Sequence, residues 1–579
     1  MVRSDDNVKK LRICDYDFLL SAYADDTTFF VKDIDSISKI FILFDEFSLF
    51  SGFKLNVSKC EVCGIGALKG VNTALCNVKN INLTSDSIRV LGIHFSYDSR
   101  IREEKNFTGT IKKICNVLKV WKMRNLTLIG KIVIFKSLAI SKIISTSYMS
   151  SVPTTVLNNL VTIHKDFIWD GKKPKIKHST LIANYSYGGL KDIDIPSKIR
   201  ALQLSWLKRL LDDSFHPWKV IPLHFLSKLT VLGENIFFPN LSFNIQHALP
   251  TFYSNILTSW MDFSQAIPIT ASSILSQSIW YNSLIRIAND IITPTFLCCR
   301  KQVFVSDFFD RHGNVRSWDN FSTSYNLSPA LFFRWLQIVD ALPKHWIKVL
   351  KEDAGRSRLF CDFSPHAILK AKIFPMSKLN SRTIYDHIIA AITKPPTSIR
   401  YFLRYFQVES LPWKDIFLLP RFISIDSYSR FFQYKILNNM LFLNLPLFRM
   451  GLSDTPLCSY CREHDETIQH LFVNCDISKV LWCDLQNLLA NTITLPDLDS
   501  QSAVFGFLDS PPSNFLIVNN VLLMFKISLY INRDKHTLSL RRVLANLKKR
   551  EIIERSLVFS NPNKLNFHQN KWSSILPFL

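Results

Sequence analysis

The sequence predicts an α+β chain in which short strands near the start give way to helices. Three patterns carry that expectation. Phe18-Leu19-Leu20 leads into Tyr23-Ala24-Asp25-Asp26, and the β-prone run Thr27-Thr28-Phe29-Phe30-Val31 leads out, which reads as two strands joined by a tight turn. Over residues 33–50, Ile37, Ile40, Phe41, Phe44 and Phe47 recur at helical spacing, so a helix comes after the hairpin, and Gly52 can cap it. Over residues 111–150, Lys112, Lys113, Lys119, Lys122, Arg124, Lys131, Lys136 and Lys142 alternate with Ile114, Leu118, Trp121, Leu128, Ile132 and Leu138. Helices there should bury one face and turn the cationic face outward, where it can track a phosphate backbone or simply be solvated.

At 579 residues the chain exceeds one ordinary core, and 47% hydrophobic residues, including 45 Phe, suffice to bury several. The net charge of +23 implies an anionic partner. Nucleic acid ranks above a membrane surface because the basic residues are spread along the chain. Abundant Lys, Asn, Ile and Phe with only 15 Gly look like an AT-rich genome, so motifs weigh more than composition. The start of the chain has no apolar signal region, and no uncharged apolar stretch reaches the roughly 18 residues of a membrane span, so a soluble intracellular protein is expected. Without a secretion signal, twelve Cys argue for reduced thiols plus one metal site.

The adjacent carboxylates Asp25 and Asp26 suit a divalent cation. Mg²⁺ takes oxygen ligands and keeps waters and substrate phosphates in its shell, so such a pair fits phosphoryl transfer. Asp is also a common turn residue, and the pair alone equally fits a solvated turn.

The metal-ligand spacing lies far downstream, in Cys458-Ser459-Tyr460-Cys461 with His470 and Cys475 after it. A C-x2-C turn can present two sulfurs to one tetrahedral ion, and a His and a third Cys complete a closed structural Zn²⁺ site with donors about 4 Å apart. Asp465 is expected to cap a helix carrying His470, with Ile468, Leu471 and Phe472 toward the core and Asn474 at its end. His464 and Cys483 are rival donors that spacing does not exclude. Cys60 and Cys63 also form a C-x2-C, but on a strand residues three apart point to opposite faces, so they read as structural. Cys298-Cys299 reads as a pair of packed core thiols. Residues 216–425 are rich in aromatics and Pro-marked breaks, read as mainly helical, and contain no catalytic spacing. The span 522–555 reads as helical and basic, with Arg533, Lys535, Arg541, Arg542, Lys548, Lys549 and Arg550. Gripping RNA and solvating a terminal helix pair stay equally open there.

Several of these stretches resemble one family in its own order. Tyr23-Ala24-Asp25-Asp26 between apolar strands resembles the YADD box of reverse transcriptases, specifically those of LINE-class non-LTR retrotransposons. Phe50-Ser51-Gly52-Phe53-Lys54-Leu55-Asn56-Val57-Ser58-Lys59-Cys60-Glu61 is similar to the segment after that box, and Arg89-Val90-Leu91-Gly92-Ile93-His94-Phe95 to the palm-to-thumb hairpin. Trp121-Lys122-Met123-Arg124-Asn125-Leu126-Thr127-Leu128-Ile129-Gly130-Lys131 resembles the thumb signature. Phe167-Ile168-Trp169-Asp170-Gly171, Tyr187-Gly188-Gly189-Leu190 and Ala201-Leu202-Gln203-Leu204-Ser205-Trp206 resemble the stretches downstream of that signature in the family. The Cys/His spacing, with Glu466-Thr467 and Trp482, resembles the zinc module after the polymerase.

The resemblance implies a partial right-hand polymerase palm, β-hairpin plus helices, over 1–110, then a thumb-like basic helical domain over 111–215. A mainly helical connecting region (216–425), a small zinc-binding module (426–490) and a basic helical tail (491–579) complete the chain. It implies an RNA-directed DNA polymerase of target-primed reverse transcription, with RNA template and DNA primer as partners, no membrane, and a place in the nucleus or a cytoplasmic ribonucleoprotein. Two Mg²⁺ would bridge the carboxylates, the incoming triphosphate and the primer 3′-oxygen. Asp25 would be the main ligand and Asp26 its support, with Tyr23 and Ala24 under the primer end. Lys59, or failing it Lys54, would meet the leaving pyrophosphate, and Lys112, Lys113, Lys119, Lys122, Arg124 and Lys131 would lie along nucleic acid. In the family an earlier Asp completes the metal site, and Asp15 and Asp17 match no such motif. A chain that starts inside the palm and is inactive alone is therefore expected. The competing expectation is a non-catalytic nucleic-acid-binding protein derived from a retroelement.

Overall fold

The computed structural model describes residues 1–69, 82–83, 87–212, 214–227, 236–244, 249–265, 268, 270–299, 301–355, 366–369, 372–508, 515–533 and 539–578. Helices dominate them, and the strands form short two-stranded sheets. The chain divides into two compact units whose segments interleave along the sequence.

The first unit comprises Met1–Cys115, Ile140–Val161 and Ile195–Ile388. It opens with two hairpins, Leu11–Ile13 against Tyr16–Phe18 and Leu20–Tyr23 against Asp26–Phe29. The helix Ile34–Ser51 comes next, as the spacing of its apolar residues predicts. Asp33 caps it by accepting the Ser36 N–H, and Gly52, at φ +72°, ends it by donating its N–H to Ser48 O, a left-handed geometry that glycine adopts without penalty. Ile40 and Leu43 pack with Val8 and Leu19 in a small core, but Phe47 at the far end of the expected face is exposed. The hairpins are short and meet only the first half of this five-turn helix, which is why its face is buried over only part of its length. Further on, Ile88–Val90 pairs with Ile93–Phe95, and the buried Asn106 locks that hairpin by exchanging two hydrogen bonds with the His94 backbone.

The remainder of this unit holds two apolar cores, one around Phe308, Phe321 and Trp335 and one around Phe237, Trp260 and Leu257. Helices such as Thr251–Phe263, Phe332–Ala341 and Lys344–Ala354 supply them. Two strand pairs lie in the span read as mainly helical, Arg286–Ile287 with Asp290–Ile291 and His366–Leu369 with Lys372–Pro375. Cys299 is buried in the first core as expected, whereas Cys298 takes a left-handed conformation at φ 50° and is exposed, so the two thiols are not packed together.

The second unit comprises Asn116–Ala139, Thr162–Asp194 and Ile389–Leu579. Its centre is the helix Phe515–Asn532, which is apolar all round and buried from Ile517 to Leu529, as a helix surrounded by others must be. By length and composition it is the one helix among the described residues that could cross a membrane, and 72% of it is buried inside the protein. Trp413–Ile423, Ser427–Leu437 and Leu540–Val558 pack around it. The span 522–555 is therefore two different helices. In its second helix Arg541, Arg542, Lys548 and Lys549 are exposed while Arg550 pairs with Asp426 at 2.7 Å. Lys535 lies outside the described residues.

Candidate metal centre

The C-x2-C segment forms a knuckle held by backbone hydrogen bonds. Cys458 N–H donates to His464 O at 2.7 Å, and Arg462, at φ 61°, donates its N–H to Cys458 O at 3.0 Å. Tyr460 N–H points at Cys458 Sγ, 3.5 Å away. The next donor rides on a helical turn that starts at Ile468 and becomes a single π-helical turn over His470–Asn474. Thr467, not Asp465, caps this turn by accepting the His470 N–H at 3.1 Å, because the turn begins at Ile468 and Thr467 is the residue just before it. Ile468, Leu471 and Phe472 face the core, and the turn ends at Asn474, both as the spacing predicts. The widened turn lets Cys475 N–H reach His470 O at 2.8 Å, which swings the last thiol back toward the knuckle.

The three sulfurs and one imidazole nitrogen lie within 4.8 Å of one another. Within it, Cys461 Sγ and His470 Nε2 approach to 3.2 Å. Cys458, His470 and Cys475 are buried and Cys461 is half-buried. His464 and Cys483 are exposed and stand outside the cluster, so the spacing ambiguity resolves to the four expected residues.

Cys475 caps the N-terminus of the helix Asp476–Leu489. A hydrogen bond from the Cys458 thiol, with the Ser478 and Ile477 N–H groups, pulls the Cys475 thiol well below its usual range; the same shared proton, together with burial, pushes Cys458 up. One thiolate is thus favoured before any cation arrives, and sulfur-rich donors at this separation fit zinc.

A buried carboxylate supports the knuckle. Glu466 accepts the Ser459 N–H at 2.9 Å, the Ser459 hydroxyl at 2.7 Å and the Asn444 N–H at 3.0 Å, and Arg533 approaches it at 3.4 Å. Tyr460 donates its hydroxyl hydrogen to Leu529 O at 2.8 Å, tying the knuckle to the central helix. In the sequence Glu466 stands out only as part of a resemblance. Its position beside the ligands is a usable signal, whereas nothing local marks Arg533 as its partner.

Residues 420–482 match the family of zinc-binding in reverse transcriptase. The matched segment contains all four clustered ligands and Glu466, and it relates this part of the chain to reverse transcriptases.

The other expected site residues are placed differently. Ala24 and Asp25 form the two-residue turn of the acidic hairpin, with Ala24 at φ 52°, and Asp26 begins the second strand opposite Tyr23. All four are exposed, Tyr23 by 70%. Among the described residues, two groups of three or more His, Cys, Asp or Glu donors converge within metal-ligand reach, the Cys₃His cluster and His164/His178/Asp192, and neither contains Asp25 or Asp26. Lys59 and Lys54 are exposed, and Cys60 and Cys63 flank the short strand Glu61–Val62 outside both groups. Lys112, Lys113, Lys119 and Lys122 line the helix Gly109–Lys122 and are exposed, as is Arg124, whose guanidinium lies 5.0 Å from the Trp121 ring. Lys131 departs from the series: it is buried, with Nζ 2.5 Å from Asp170, which removes it from a solvent-facing phosphate-binding row.

Proposed function

We propose that the chain is the C-terminal part of a LINE-class RNA-directed DNA polymerase, with a partial palm over 1–110, a thumb-like region over 111–215, a connecting region over 216–425, the zinc module over 426–490 and a basic tail over 491–579. The observation that carries this reading is the Cys₃His cluster inside a segment that matches a reverse-transcriptase zinc-binding family. In this account zinc is structural, and RNA template and DNA primer run along the exposed cations from Lys112 to Arg124. The protein works inside the cell, in the nucleus or a cytoplasmic ribonucleoprotein, and not in a membrane. Asp25 and Asp26 are the Mg²⁺ ligands, with Tyr23 and Ala24 under the primer end and Lys59 at the pyrophosphate.

Two-ion phosphoryl transfer needs carboxylates from more than one strand to hold both ions. Because Asp25 and Asp26 join no third donor among the described residues, residues 1–579 on their own are proposed not to polymerise. The same observation favours a second reading, a non-catalytic nucleic-acid-binding protein derived from a retroelement.

A paired primer-extension assay separates the two. Residues 1–579 should give no extension; joined in frame to a palm half that supplies the missing carboxylate, they should extend a primer on RNA with Mg²⁺, and Asp25→Ala should abolish it. Extension by the short chain, or extension by the long chain that survives Asp25→Ala, overturns the assignment. Failure of the joined chain, with RNA binding retained, supports the non-catalytic reading. In both readings log affinity for RNA falls with log salt by about 0.7 to 0.9 per phosphate contact, and changing Lys119, Lys122 and Arg124 to Ala flattens that slope.

A further inference from the structure

A second cluster lies in the second unit, formed by His164 near the end of the helix Thr154–Trp169, His178 at the start of the helix His178–Leu181, and Asp192 in the loop after it. Backbone bonds from Leu190 and Asp192 to Leu181 O fold that loop back onto the short helix. One nitrogen or oxygen from each of the three side chains falls within 4.8 Å of the others. His164 Nε2 stands 3.0 Å from Asp192 Oδ1, which also accepts the Ile193 N–H at 2.8 Å.

The other oxygen, Asp192 Oδ2, is buried and accepts no hydrogen bond among the described residues, although the Asp192 side chain is completely shielded from solvent. His178 Nδ1 faces it at 3.8 Å. On its far side His178 Nε2 meets Asp194 Oδ1 at 3.2 Å, and the 3.8 Å between Nδ1 and Oδ2 is too long for a hydrogen bond even when the ring is protonated. Ion pairing with the two histidines accounts for Oδ1 but leaves Oδ2 buried without a hydrogen bond among the described residues.

We propose that His164, His178 and Asp192 bind a divalent transition-metal ion of the zinc type, in a sulfur-free site distinct from the Cys₃His centre. Two imidazoles select such an ion over Mg²⁺, which prefers all-oxygen shells. Asp194 acts as the outer carboxylate that orients a metal-bound histidine. The His178 side chain is 45% exposed, so the ion enters from solvent on that side and keeps an open position there for water.

Cobalt titration of the metal-stripped full chain tests the proposal. Two equivalents should bind, one with the intense sulfur-to-cobalt charge-transfer band of the Cys₃His site and one with weak visible bands alone. His178→Ala, at a half-exposed position that should not disturb folding, should abolish the second equivalent and leave the first. Asp194→Asn should weaken the second by about 10- to 100-fold. Cys458→Ser should do the converse of His178→Ala, losing the charge-transfer band and keeping the weak one. A single equivalent in the unaltered chain, or a second equivalent indifferent to His178→Ala, overturns the proposal and leaves an ion pair.

Discussion

The Cys₃His knuckle and the acidic hairpin are both tight turns that present neighbouring donors, yet they are supported in opposite ways. Around the knuckle, Glu466, Ser459, Asn444 and Arg533 form a polar web, three of the four ligands are buried, and Cys458 and Cys475 belong to an extensive apolar core. Around the hairpin, Tyr23 through Asp26 are exposed, the strands are four residues each, and the core behind them is small. The contrast separates side chains built into the packing of the fold from carboxylates left in solvent. Removing the first kind should cost stability, and removing the second should not.

The largest expected effect is loss of the zinc-site ligands. At free zinc about 1,000-fold above the dissociation constant, an ion bound only by the folded state contributes about 4 kcal/mol. Cys475→Ser or chelation should therefore lower the melting temperature of the second unit markedly, as measured by calorimetry. An unchanged melting curve would erase the difference between the two turns. Next comes Glu466→Ala, which removes the carboxylate beside the buried Arg533 and leaves the Ser459 and Asn444 N–H groups without their acceptor. Breaking such a pair costs about 3 to 5 kcal/mol. Denaturant unfolding should show it, and zinc affinity should weaken by about 10- to 100-fold with all four ligands intact.

A smaller effect comes from Lys526, buried in the central helix with its amine donating to Gln433 Oε1 and Ala503 O, both neutral acceptors. Burial pulls its pKa down to about 7. An unfolded lysine keeps its proton up to roughly pH 10.4, so between pH 7 and that value the unfolded state binds more protons and stability rises with pH. Tyr434 and Tyr460, whose burial raises their pKa, oppose this above about pH 10, because there the unfolded phenols ionise first. Lys526→Met should stabilise the protein at neutral pH by on the order of 1 to 3 kcal/mol and flatten the rise. A wild-type profile already flat between pH 7 and 10 would count against a neutral amine. The smallest effect belongs to the hairpin, where Asp25→Ala and Asp26→Ala should each change stability by less than about 0.5 kcal/mol.

How much of the structure is legible in the sequence depends on the range of the interactions involved. The hairpin, the helix after it with its Gly52 cap, and the four clustered ligands depend on residues close in sequence, and each lies where its spacing puts it. Thr467 stands in for Asp465 as the cap because the turn begins only at Ile468, a start that the apolar spacing does not fix to the residue. Lys131 resembles its exposed neighbours in sequence, but Asp170, distant along the chain, claims it. The central helix is misleading for a related reason: Lys526 and the cations after it hide that Ile517 to Leu529 are buried on every side. The His164/His178/Asp192 cluster has no local spacing at all and exists only because the loop folds back on Leu181.

X-ray absorption at the zinc edge, on purified His178→Ala protein so that only the Cys₃His ligands contribute, tests the central claim most directly. The account predicts one zinc per chain with three sulfurs at about 2.3 Å and one nitrogen at about 2.0 to 2.1 Å, and loss of that zinc in Cys475→Ser. A chain that retains no zinc, or a shell of nitrogen and oxygen without sulfur, would contradict it.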